Sequence, residues 1–75
     1  MVASGRARAP THYNLGVALS ETGRTDEAIA SYLRALDLAP NEPRILQDLV
    51  SLYRRTGREA EAKACEVKLR KIEGH

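Results

Sequence analysis

The sequence predicts an all-α fold: four antiparallel helices, built as two stacked copies of one helix–turn–helix unit. Three observations carry this. The stretch ETGRTDEA at residues 21–28 returns as RTGREAEA at 55–62, 34 residues later, with five of eight positions identical. A period of 34 residues is the length of a helical hairpin that stacks on its own copies. Apolar residues on either side of each shared glycine keep the 3, 4, 7 spacing of a helix stripe. Glycine and proline punctuate the chain where helices must stop.

The elements follow in order. The first helix is expected near 10–22, on Leu15, Ala18 and Leu19. Gly23 closes it, because the residue after a helix often needs a left-handed backbone and glycine has no Cβ to oppose that. The second helix, near 25–38, carries Ala28, Ile29, Tyr32, Leu33 and Leu36 on one stripe. Thr25 is placed to cap it, and Asp26 and Glu27 suit the positive end of its dipole. Between the units, APNEP stops one helix and starts another: Pro40 cannot continue a helix, Asn41 is expected as the N-cap, and Pro43 fits a first turn. The third helix, near 42–56, holds Leu46, Leu49, Leu52 and Tyr53 and ends at Gly57. The fourth, near 59–72, has Glu59 and Glu61 in its first turn.

Aligning 9–41 with 43–75 puts Leu15 on Leu49, Ala28 on Ala62, and Leu38 on Ile72. Leu15, Gly16, Leu19, Gly23, Ala28, Tyr32, Ala35, Leu38 and Pro40 form a pattern that resembles the tetratricopeptide repeat. Leu46, Leu49, Tyr53, Gly57, Ala62, Leu69 and Ile72 form its second copy, so the resemblance spans residues 9–75. It implies a segment of a right-handed α-α superhelix, with repeat one at 9–42, repeat two at 43–75, and residues 1–8 a disordered leader. The second copy departs at Val50, Glu66 and Gly74, which stand where Gly16, Tyr32 and Pro40 stood.

The departures have a direction. Ile29, Tyr32 and Leu36 of the second helix become Lys63, Glu66 and Arg70 in the fourth. Unpaired buried charge is very costly, so that face is expected to meet water and to finish the stack. The first helix has Thr11 and Ala18 where the third has Ile45 and Leu52, a partial finish at the other end. A fragment cut from a longer array is the competing account. Burying residues such as Ile29, Leu49 and Leu52 contributes roughly 1.5–3 kcal/mol each before entropy is subtracted. Two units are therefore expected to be marginal alone, and a weak homodimer follows as an expectation.

Composition excludes several function classes. The net charge is only +2, low for a nucleic-acid module of this size. It is unevenly spread: residues 11–42 carry two Arg against five acids, and 43–75 carry eight basic groups against five acids. Arg44, Arg54, Arg55 and Arg58 could meet phosphates, but Asp48 interrupts them and the only aromatic beside them, Tyr53, reads as core. Cys65 is the single cysteine, which rules out an internal disulfide and fits a reducing compartment, so a cytoplasmic location is expected. No apolar run reaches membrane-spanning length.

No catalytic constellation is legible. Ser20, Ser31, Ser51 and Cys65 are the candidate nucleophiles, with only His12 and His75 as histidine bases. His12 is expected at the helix-pair interface and Cys65 in plain packing. No metal-ligand spacing or phosphate-cradling loop occurs, so neither metal nor cofactor is expected.

What remains is a protein-interaction module. Stacked helix pairs leave their first helices lining a concave surface. Off the packing stripes of those helices lie Tyr13, Asn14, Val17 and Glu21, then Arg44, Gln47, Asp48, Ser51 and Arg55. The resemblance implies that such residues contact an extended peptide or protein segment, with Asn14 and Asp48 at equivalent places. It also argues against the grip on a C-terminal carboxylate found in some related domains: Tyr13 and Val17 stand where those carry Lys and Asn, and Asp48 would repel the ligand. An oligomerisation or scaffolding element of a longer protein is the alternative, with nucleic-acid binding the weakest reading.

Overall fold

A computed structural model describes residues 8–74. Among these the chain forms four helices and no strand: α1 (Ala9–Glu21), α2 (Thr25–Leu38), α3 (Pro43–Arg55) and α4 (Glu59–Glu73). The all-α, helical-repeat architecture is as the sequence predicts. Of the expected leader, residues 1–7 lie outside the described residues, as does His75. The described residues divide into two compact units, one ending at Pro40 and the other beginning at Asn41. In the first α1 packs on α2, and in the second α3 packs on α4.

The hairpin turns explain the repeated octapeptide. Gly23 and Gly57 have φ of 84° and 76°, the left-handed region expected of them. In each turn the glycine N–H reaches back to a carbonyl three residues earlier, Ser20 or Arg54, at 3.2 Å. The next N–H then closes the loop: Arg24 donates to the Leu19 carbonyl at 2.9 Å, and Arg58 to that of Tyr53 at 2.7 Å. This pair of bonds satisfies carbonyls that the end of a helix would otherwise leave open. The shared threonines add to it. The Thr22 hydroxyl lies 3.2 and 3.0 Å from the Ala18 and Leu19 carbonyls, and that of Thr56 lies 3.0 and 3.1 Å from those of Leu52 and Tyr53.

Two expected caps are corrected. Thr25 does not cap α2: it is the first helical residue, and Arg24 holds the capping position with no side-chain bond. After the left-handed glycine, the Arg24 carbonyl already accepts the Ala28 N–H at 2.9 Å, so the helix starts at once. Asn41 does not cap α3 either. Glu42 takes that place in an extended conformation, φ −90° and ψ 108°, because a residue before proline is pushed out of the helical region and Pro43 is the first residue of α3. Asp26 and Glu27, then Glu59 and Glu61, occupy the first turns of α2 and α4 as expected. Ala39, before Pro40, ends α2; Gly74, at φ 79°, ends α4.

The core of the first unit is made of small residues around one ring. Gly16 of α1 is buried, with Ala28, Ile29, Tyr32 and Ala35 of α2. A Cβ built on Gly16 would come within 2.8 Å of the Tyr32 ring, so the missing side chain is what admits the ring. In the second unit α3 buries Ile45, Leu46, Leu49, Leu52 and Tyr53, and α4 buries Ala62. Three members of the predicted stripes are corrected to the surface. Leu15 is 49% exposed and Leu33 42% exposed, and Ala18 is exposed too, whereas Leu49, the counterpart of Leu15, has no exposure. Helical spacing names a side of the helix, but burial requires something opposite it.

Candidate interaction faces on the first helices

The predicted contact residues divide between the two units. Tyr13, Asn14, Val17 and Glu21 lie on α1; Arg44, Gln47, Asp48, Ser51 and Arg55 lie on α3. At about 100° per residue, each set falls within an arc of about 100° on its own helix. The two arcs occupy equivalent positions in the 34-residue register, since Tyr13, Asn14, Val17 and Glu21 align with Gln47, Asp48, Ser51 and Arg55. On α1, Asn14 and Glu21 are exposed while Tyr13 and Val17 are half-buried. On α3, only Asp48 is half-buried and the other four are exposed.

Tyr13 has a second attachment that the sequence did not reveal. Its ring lies 5.5 Å from that of Tyr32, centroid to centroid, at an interplanar angle of 51°. Such a tilted pair is a favourable aromatic arrangement. The ring therefore belongs partly to the packing of the first unit. The signal was available only after folding, because the two tyrosines are far apart in sequence and sit on different helices.

The basic run of the second unit is less available than its sequence suggests. Arg54 pairs with Glu66 of α4. Arg58 is half-buried, whereas Arg44 and Arg55 are exposed. Of the face expected to meet water, Lys63 and Arg70 are exposed and Glu66 is half-buried beside Arg54.

The remaining chemical groups are dispersed. Ser31 is buried, Ser20 and His12 are half-buried, and Ser51 is exposed. Cys65 is half-buried on α4, and burial pushes its thiol pKa up; Lys68 opposes this and Glu61 adds to it. Burial likewise raises the Tyr53 phenol, with smaller contributions from Cys65 and Glu61, opposed by Arg58. A thiol held in its neutral form is a poor nucleophile. Among the described residues no group of three metal-ligating side chains assembles. A hollow lined by Glu66, Leu69, Arg70 and Glu73 runs along the single helix α4. No described helix is long and apolar enough to cross a membrane.

The comparisons agree with this geometry. The tetratricopeptide repeat family matches residues 9–42. No curated protein matches the chain. Repeats of this family generally mediate protein–protein interaction, and they are typically non-catalytic.

Proposed function

We propose that this chain, whose residues 9–42 match the tetratricopeptide repeat family, is a non-catalytic module that binds a peptide or protein segment on the concave face formed by the first helix of each repeat. The observation that supports this most is the pair of equivalent arcs. On α1 the arc exposes Asn14 and Glu21 beside half-buried Tyr13 and Val17, and on α3 it exposes four of its five polar side chains. The α3 face offers hydrogen-bonding and charged groups in Arg44, Gln47, Asp48, Ser51 and Arg55. The α1 face adds an amide in Asn14, a carboxylate in Glu21 and an aromatic body in Tyr13. Such a mixture suits an extended segment read through its backbone and a few side chains. This reading treats residues 9–75 as one domain of two repeats, and Cys65 as a thiol kept reduced in the cytoplasm. Nucleic acid is the weaker partner, because Glu66 already engages Arg54.

The test spares Tyr13, whose loss would disturb Tyr32. A triple variant Asn14→Ala, Gln47→Ala, Arg55→Ala alters only exposed members of the two faces. Affinity capture from the source lysate, with the captured proteins identified, should lose specific partners while circular dichroism stays unchanged. Capture of the same partners in the same amounts by both proteins would rule the faces out.

A further inference from the structure

We infer that a second copy of this chain docks through the outer faces of the second helices, α2 of one copy against α4 of the other. The inference is independent of the first-helix faces. Leu33 and Val67 are repeat-equivalent, and both are exposed large apolar residues, at 42% and 50%. Single exposed leucines are ordinary on a protein surface. Here the same position is left open in both units, and each sits three residues from an exposed alanine, Ala30 or Ala64.

The charges around the two patches decide the occupant. Ala30, Leu33, Arg34 and Asp37 share an arc of about 100° on α2 and are all exposed. Their equivalents on α4 are Ala64, Val67, Lys68 and Lys71, also all exposed. Three of the four positions keep their chemistry and the fourth inverts its charge, from Asp37 to Lys71. In a parallel pairing, two identical faces would set like charge against like. The inversion makes the α2 face of one copy complementary to the α4 face of another.

Asp37 also sits where its own helix disfavours it. It lies in the last turn of α2, which contains no basic residue. The carboxylate there meets the negative end of the helix dipole. With Leu33 against Val67 in a parallel crossing, Lys71 of the second copy comes to Asp37, four residues further along each helix, and relieves that repulsion. Arg34 and Lys68 are each turned about 100° around their own axes, which puts them on opposite sides of the crossing. One helix face is much smaller than the roughly 1,600 Å² of a standard stable interface. The association is therefore weak, concentration-dependent and sensitive to salt. Because the two surfaces differ, it closes as a dimer only when both pairs form, and otherwise it propagates.

Sedimentation velocity across a concentration series, at low and high salt, tests this. The native chain should gain mass with concentration, less so at high salt. Asp37→Lys and Lys71→Asp should each weaken association about two- to fivefold, the range for an exposed ion pair. Combined in one chain they should restore it, since the exchanged charges again meet as opposites across the contact. Leu33→Ser should weaken it roughly tenfold through lost apolar burial. A native chain that stays monomeric at every concentration overturns the inference, as does a double variant no better than the singles. Circular dichroism on each variant checks the fold, and the charge exchange remains decisive should Leu33→Ser unfold.

Discussion

The two hairpins fill one pair of repeat-equivalent positions in opposite ways. In the first unit Gly16 of α1 leaves a notch and the Tyr32 ring of α2 occupies it. In the second, Val50 stands in the glycine's place and Glu66 in the tyrosine's, and Glu66 turns to Arg54. Bulk has moved from the second helix to the first, and an aromatic contact has given way to an ion pair. The cores differ as well: α3 buries five large side chains, while α1 buries only Ala9 and Gly16. Both units nonetheless turn through the same threonine, glycine and arginine, with the same hydrogen bonds. What repeats faithfully is the instruction to the backbone. The packing between helices diverges.

Three sets of substitutions probe that contrast. The largest effect is expected at Leu49. Leu49→Ala should cost about 2–5 kcal/mol, the range for a fully buried leucine. Leu15→Ala, at the equivalent position, should cost less than about 1 kcal/mol. Urea unfolding followed by circular dichroism measures both, and equal losses would mean that the two first helices do not differ in burial as described.

Next comes the notch. Gly16→Ala places a Cβ within 2.8 Å of a buried ring, and overpacking of this kind costs about 1–3 kcal/mol. Tyr32→Leu in the same chain should recover part of that loss, because the smaller side chain vacates the contact. A double variant as unstable as the sum of its singles would show that the two positions do not share a space.

The smallest effect concerns the turns, where the units should agree. Gly23→Ala and Gly57→Ala meet no atom within 4 Å, so the added methyl encounters only backbone strain. Each should cost about 1 kcal/mol, the lower end for an L-residue held in the left-handed region. Clearly unequal midpoints for this pair would contradict the shared geometry of the turns.

Much of the fold was legible before any coordinates, and particular residues explain where legibility ended. The helices, both left-handed glycines and the acidic first turns depend on residues adjacent in the chain. The misplaced caps were also local, but they needed a second rule. Pro43 constrains Glu42 before Asn41 can act, and the turn at Gly23 lets Arg24 open α2 ahead of Thr25. The bonds of the Thr22 and Thr56 hydroxyls to the last carbonyls of α1 and α3 have one signal in the sequence, the identity of the residue in both copies. For the candidate site, membership of one face could be read from helical spacing. The attachment of Tyr13 to Tyr32 could not.

The order of residues alone dictates a pair of helical hairpins, the approximate extent of each helix, and the kind of residue each turn requires. Those outcomes follow from φ and ψ preferences and from hydrogen bonds spanning three to five residues. It took the folded arrangement to settle that Leu15 meets water while Leu49 does not, that Gly16 is a socket for Tyr32, and that Glu66 holds Arg54. Spacing along a helix specifies a direction around its axis, and burial depends on what lies in that direction.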